Sequence, residues 1–188
     1  MALFRRRTPA SEAAASDPAA PGATGSGAAE PGTAAPEGAP PLATEATVRT
    51  GMRPADRDEA VRELAAALHT AGRVTDLEGF LADVAAREAQ MPTGMPGRVG
   101  LPHARSAHVT APALAVGTVP GGVDWGGPDG DAVLVFLIAA PEGGGEAHMT
   151  ILASLARRLM HAEFRDALLD APDAAAVAEI VNREVSAP

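Results

Sequence analysis

Apolar positions in this chain recur in two periods, and the elements follow from where one period yields to the other. Val48 opens the patterned region and predicts a short strand or extended lead-in. Ala60, Val61, Leu64, Ala67 and Leu68 then recur at three and four residues, the spacing of one helix face. Asp56 is a suitable N-cap for that helix, Glu59 its reciprocal partner, and Gly72 its end. A second stripe of Leu77, Phe80, Leu81 and Val84 follows the N-cap candidate Asp76 and predicts a helix to about Gln90. Met91 to Gly97 holds two prolines and two glycines and reads as a loop. Val99 and Leu101 mark a short strand that ends at Pro102-His103 and gives way to a loop. Ala113 to Val119 reads as a strand, and Val133 to Ala140 as a nearly continuous apolar strand buried on both faces.

The tract between those strands, Gly121 to Gly130, is rich in turn residues and carries Trp125. After a glycine loop at Pro141 to Gly145, a helix is predicted from about Glu146 to Met160. Its inner face would hold Met149, Leu152, Leu155, Ala156 and Leu159. Phe164 to Leu169 predicts a shorter helix. A last helix starts at Pro172 or Asp173 and turns Val177, Ile180 and Val181 inward. Interleaved helices and strands favour a single three-layer α/β/α sandwich. Helix pairs at both ends break strict β-α-β alternation, so the central sheet should be mixed.

Composition sets the boundary of that domain. In residues 8–44, Ala, Pro and Gly fill 25 of 37 positions, and Leu42 is the single large apolar residue. Such a tract cannot offset its ordering entropy by burial. Residues 1–44 are therefore expected to be a disordered tail, with the folded domain at 45–188. The basic start Met1-Ala-Leu-Phe-Arg-Arg-Arg7 is followed by no apolar core region, so no export signal is expected.

Charge and residue usage exclude several chemistries. The chain has 15 basic residues, all arginine, against 24 acidic ones, a net charge of −9. Without lysine there is no Schiff-base amine and no P-loop lysine. Without cysteine there is no thiolate site and no disulfide. An acidic chain with no basic run longer than Arg5-Arg6-Arg7 argues against nucleic acid and anionic membranes and suits a basic protein partner. No apolar run approaches the roughly 20 residues that span a bilayer. The histidines show no H-x-x-x-H or H-E-x-x-H spacing, which argues against a metal site, and Ser106 and Ser154 lack a nucleophile elbow.

Candidate chemistry centres on two histidines. His103 follows Pro102 in the segment Gly97-Arg98-Val99-Gly100-Leu101-Pro102-His103-Ala104-Arg105. A strand end of this kind is where α/β proteins commonly place function. His148 falls in the first turn of a helix, where backbone N–H groups and the helix dipole favour an anion. Taken alone, His103 is as compatible with a histidine without a role, and a histidine placed like His148 is more often incidental. Arg87 near the end of the second helix reads equally as a solvated charge, Arg105 as the partner of an acidic neighbour, and His69, His108 and His161 as structural or surface residues.

Together, these segments resemble the fructose and mannitol type enzyme IIA of the bacterial sugar phosphotransferase system. The resemblance lies in Met91-Pro-Thr-Gly-Met-Pro-Gly-Arg-Val-Gly-Leu-Pro-His-Ala-Arg105, Gly122-Val-Asp-Trp-Gly126, Leu134-Val-Phe-Leu-Ile-Ala-Ala-Pro141 and His148-Met-Thr-Ile-Leu-Ala-Ser-Leu-Ala156. It implies that His103 accepts a phosphoryl group from the phosphocarrier HPr and passes it to a cysteine of a IIB domain. It also implies that His148 and Arg87 stabilise the phosphate, with no cofactor or metal required. Pro96-Gly97-Arg98 departs from the pattern, since relatives often carry glycine or a small polar residue there. A cytoplasmic, freestanding carrier that meets HPr and a IIB domain or IIBC permease in solution is the expected role. A regulatory protein of the nitrogen-related branch and a degenerate binding version of the fold are the alternatives; Arg87, His103 and His148 argue against the second.

Overall fold

The computed structural model describes residues 40–185, and for 145–148 the backbone alone. Its elements follow the sequence pattern closely. A 3₁₀ turn at Glu45–Thr47 leads into β1 (Val48–Arg49), and α1 spans Arg57–Thr70 and α2 Leu77–Gln90. The strands β2 (Gly94–Met95), β3 (Val99–Gly100), β4 (His103–Ser106), β5 (Ala113–Val123) and β6 (Ala132–Pro141) come next. The chain closes with α3 (Gly145–Leu159), α4 (Ala162–Leu169) and α5 (Ala174–Glu184).

The sheet order is β1-β5-β6-β3-β2, with β4 also on β6. β5 and β6 are antiparallel, whereas β3 and β4 run parallel to β6 and β1 parallel to β5. The sheet is mixed, as expected. Alternation along β6 divides the interior into two cores. Val135, Leu137 and Ala139 pack with Leu64, Leu68, Phe80 and Val84 of α1 and α2. Leu134, Phe136 and Ile138 pack with Ile151, Leu155, Leu159, Phe164, Val177 and Val181 of α3 to α5. The three-layer sandwich thus comes directly from the two-residue period of one fully apolar strand.

Helix starts are locally encoded. Asp56, Asp76 and Asp173 each accept from the backbone N–H three residues on, that of Glu59, Gly79 and Ala176. The reciprocal arm of the first cap lands one residue early, because the Glu59 carboxylate accepts from the N–H of Ala55.

Several expectations need correction. The domain begins before residue 45: Leu42 and Ala43 are buried, the Leu42 carbonyl accepts from Leu114 N–H, and Asn182 brackets Ala43 with two hydrogen bonds. The composition of the tract hid this, since one leucine in a polar and small-residue run gives no period. Residues 1–39 lie outside the described residues. Helix α3 is rotated from its predicted face. Ile151, Leu155 and Leu159 are its fully buried positions, while Met149 is 63% exposed. Both stripes share Leu155 and Leu159 at helical spacing, and tertiary packing buried Ile151 in place of Met149. β5 also runs on to Val123, with an irregularity between Thr118 and Val123, into the tract read as turns.

Candidate active site

His103 does not end a strand; it restarts one. β3 and β4 lie along the same edge of β6, with Leu101 and Pro102 between them. Val99 pairs with Leu134 and His103 with Ile138, so the register passes through the break unshifted. Pro102 has no N–H to give the ladder, though its carbonyl still accepts from Ile138 N–H at 3.0 Å. Leu101 turns its N–H away to the Thr93 carbonyl at 3.1 Å. Its own carbonyl takes the imidazole: His103 Nδ1 lies 2.9 Å away. A carbonyl only accepts, so Nδ1 carries the proton and the lone pair sits on Nε2.

His103 is half-buried in a cleft between α2, β4 and α3. Asp83, Arg87 and Gln90 line it from α2, Arg105 from β4, and Met149 and Leu152 from α3. Burial lowers the proton affinity of His103 below its ordinary value of 6.5. The Leu101 carbonyl opposes that shift, the Arg87 charge adds to it, and the Glu88 charge opposes it. Arg87 is in the last turn of α2, and one guanidinium nitrogen donates to the Met91 carbonyl at 3.3 Å. It therefore closes the helix end and faces the cleft. His148 belongs to the first turn of α3, which its expected place requires, but its side chain lies outside the described residues.

Of the remaining candidates, Arg105 lines this cleft, whereas His69, His108 and His161 do not. Arg105 donates to the backbone carbonyl of Glu142, so its partner is no carboxylate. His108 is not an isolated surface residue. Its carbonyl accepts from Thr75, and its ring stands 3.8 Å from the Asp76 carboxylate and against Gly79. His69 is exposed in the last turn of α1 and His161 precedes α4. Among the described residues no group of three or more His, Asp or Glu is arranged to hold a metal ion. None of the described helices is long and apolar enough to cross a membrane.

Residues 42–184 match the family model for the phosphoenolpyruvate-dependent sugar phosphotransferase system, EIIA 2. The chain belongs to this EIIA family. The PTS system fructose-specific EIIA component of Haloferax volcanii is 35% identical to it over 133 residues, 70% of this chain and 86% of that protein. The PTS system fructose-specific EIIABC component of Bacillus subtilis is 34% identical over 143 residues, 76% of this chain but 22% of that larger protein. Among solved structures, nitrogen regulatory protein IIA-Ntr from Neisseria meningitidis superposes with a TM-score of 0.65 at 22% identity. That match covers 74% of this chain and 96% of the other and shows a shared fold.

Sequence reasoning missed Glu88. Its carboxylate accepts from Thr93 N–H at 2.9 Å, from Thr93 Oγ1 at 2.7 Å and from Trp125 Nε1 at 3.1 Å. The signals available were the adjacency of Glu88 to Arg87, a threonine in the following loop, and a lone tryptophan whose indole N–H needs an acceptor when buried.

Proposed function

We propose that this EIIA protein is a cytoplasmic phosphoryl carrier in which His103 Nε2 accepts a phosphoryl group from HPr and delivers it to a cysteine of a IIB domain. The observation that carries this reading is the bond from His103 Nδ1 to the Leu101 carbonyl inside a cleft that Arg87 also lines. That bond fixes the tautomer, and burial together with Arg87 keeps the ring neutral, so a nucleophilic lone pair is present near pH 7. In the first step Nε2 attacks phosphorus, a P–N bond forms, and the donor's bond to phosphorus breaks with its electron pair returning to the donor. In the second, a thiolate on the IIB domain attacks phosphorus and His103 leaves as neutral imidazole. Such transfers depend on positioning and charge stabilisation. Arg87 supplies cationic donors for the phosphate, and His148 in the first turn of α3 is proposed as a further phosphate-stabilising residue.

The relatives named as fructose-specific components support the transport branch over a regulatory one, and the choice of sugar would rest with IIB and IIC partners. The test is to incubate the protein with enzyme I, HPr, phosphoenolpyruvate and a fructose-type IIB domain. Wild type should take up one acid-labile phosphoryl group and discharge it to IIB. A His148→Ala variant should still be labelled by HPr but discharge more slowly. Failure of the wild type to discharge to any IIB domain would turn the reading towards regulation.

A further inference from the structure

Glu88 stands at the head of a hydrogen-bonded chain that ends on the phosphoryl acceptor. Oε1 receives Trp125 Nε1 and Thr93 N–H, and Oε2 receives Thr93 Oγ1. The Thr93 carbonyl then accepts from Leu101 N–H, and the Leu101 carbonyl accepts from His103 Nδ1. Trp125 is itself immobilised: it is 1% exposed and lies so close to Gly100 that a Cβ there would stand 2.5 Å from its ring. The carboxylate is therefore held by a rigid indole on one side and holds the loop under His103 on the other.

We propose that Glu88 is a positioning residue for His103: it pins Thr93, and through Thr93 the Leu101 backbone, so that the imidazole presents Nε2 to the cleft. The proposal rests on His103 being the acceptor, but the orientation it describes exists without phosphate. Glu88 acts with Arg87, its neighbour in the chain. The two charges bear on His103 in opposite senses. The other charged groups lining the cleft are Asp83 on α2 and Arg105 on β4.

The chemistry of the contacts separates the pin from the charge. In Glu88→Gln the amide oxygen can still accept from Trp125 and from Thr93 N–H, and the amide nitrogen can donate to Thr93 Oγ1. That variant removes the charge and keeps the hydrogen bonds. Glu88→Ala removes both. Nitrogen-15 NMR of the full-length protein reads the tautomer and the titration of His103 directly, and near-ultraviolet circular dichroism of Trp125 reports folding. Glu88→Ala should lose the preference for the Nδ1–H tautomer and accept phosphoryl from HPr at least tenfold more slowly. Glu88→Gln should retain the tautomer, transfer within about threefold of wild type, and titrate at lower pH than wild type.

Wild-type tautomer in folded Glu88→Ala overturns the proposal. So does a Glu88→Gln protein as impaired as Glu88→Ala. If Glu88→Ala does not fold, Thr93→Val removes one of the three bonds with little change of shape. A partial loss of the Nδ1–H tautomer there supports the chain, and wild-type values overturn it. Failure of His103 to accept phosphate would leave these spectra unaffected, so the two readings fail separately.

Discussion

β6 and the strand beside it show two uses of one ladder. β6 is continuous over Ala132–Pro141, and Leu134 to Ala140 are buried without exception. Its backbone is consumed in pairing and its side chains in two cores. The neighbouring edge is β3, a gap at Leu101-Pro102, then β4 in unshifted register. In that gap one carbonyl is withdrawn from the sheet and given to an imidazole. The regular strand therefore carries stability, and the broken one carries the proposed site. Substitutions on the two should separate stability from transfer.

The largest effect belongs to the regular strand. Phe136 is fully buried among α3 to α5, so Phe136→Ala should cost about 3–5 kcal/mol of unfolding free energy. Denaturant titration checks this, and phosphoryl transfer by the remaining folded protein should change little. Next comes Arg87, on the broken side. A charge-assisted hydrogen bond to phosphate contributes about 1.5–3 kcal/mol, so Arg87→Ala should slow transfer roughly ten- to a hundredfold. Its titration signature is distinct, because removing the Arg87 cation should raise the proton affinity of His103. Arg87→Lys keeps a charge but not the two-pronged donor, and should fall between. Rates within twofold of wild type for both variants would make Arg87 a helix-end charge alone.

Gly100 joins the two regions. A methyl group there meets the Trp125 ring at 2.5 Å, and overpacking of this kind costs about 1–3 kcal/mol. Because Trp125 holds Glu88, Gly100→Ala should lower both stability and transfer, unlike Phe136→Ala.

The smallest effect is a pH dependence. His103 has its proton affinity lowered by folding, mainly through burial. Between that lowered value and the ordinary 6.5, the unfolded chain binds more protons than the folded one. Stability should therefore rise with pH across that window, and the penalty should be absent above it. Subtracting the pH–stability curve of His103→Gln from that of wild type isolates this slope. A difference curve that rises on acidification would contradict the burial of His103.

The parts legible in sequence were those coded locally or by strong period. Asp56, Asp76 and Asp173 announce helices because the cap and its N–H are three residues apart. β6 announces itself because nine apolar residues in a row can only be interior. His103 and Arg87 were legible through resemblance, and their meeting in one cleft needed the fold. What escaped depended on distance along the chain or on a choice between equal patterns. Glu88 and Trp125 are joined by a bond between residues 37 apart in the chain, which no local pattern encodes. Met149 and Ile151 both had helical spacing, and the packing of α3 buried Ile151 and left Met149 beside the cleft. The break at Leu101-Pro102 looked like a strand end because proline stops a ladder in sequence, whereas here the register resumes beyond it.

The central claim is that the imidazole in the strand break is the phosphoryl acceptor. The most direct measurement is to phosphorylate the protein with enzyme I, HPr and phosphoenolpyruvate and locate the modification by NMR and mass spectrometry under alkaline conditions. The account predicts a single phosphoryl group on Nε2 of His103 and none on a folded His103→Ala variant. A phosphoryl group on another residue, on Nδ1 of His103, or on the His103→Ala variant at the wild-type rate would contradict it.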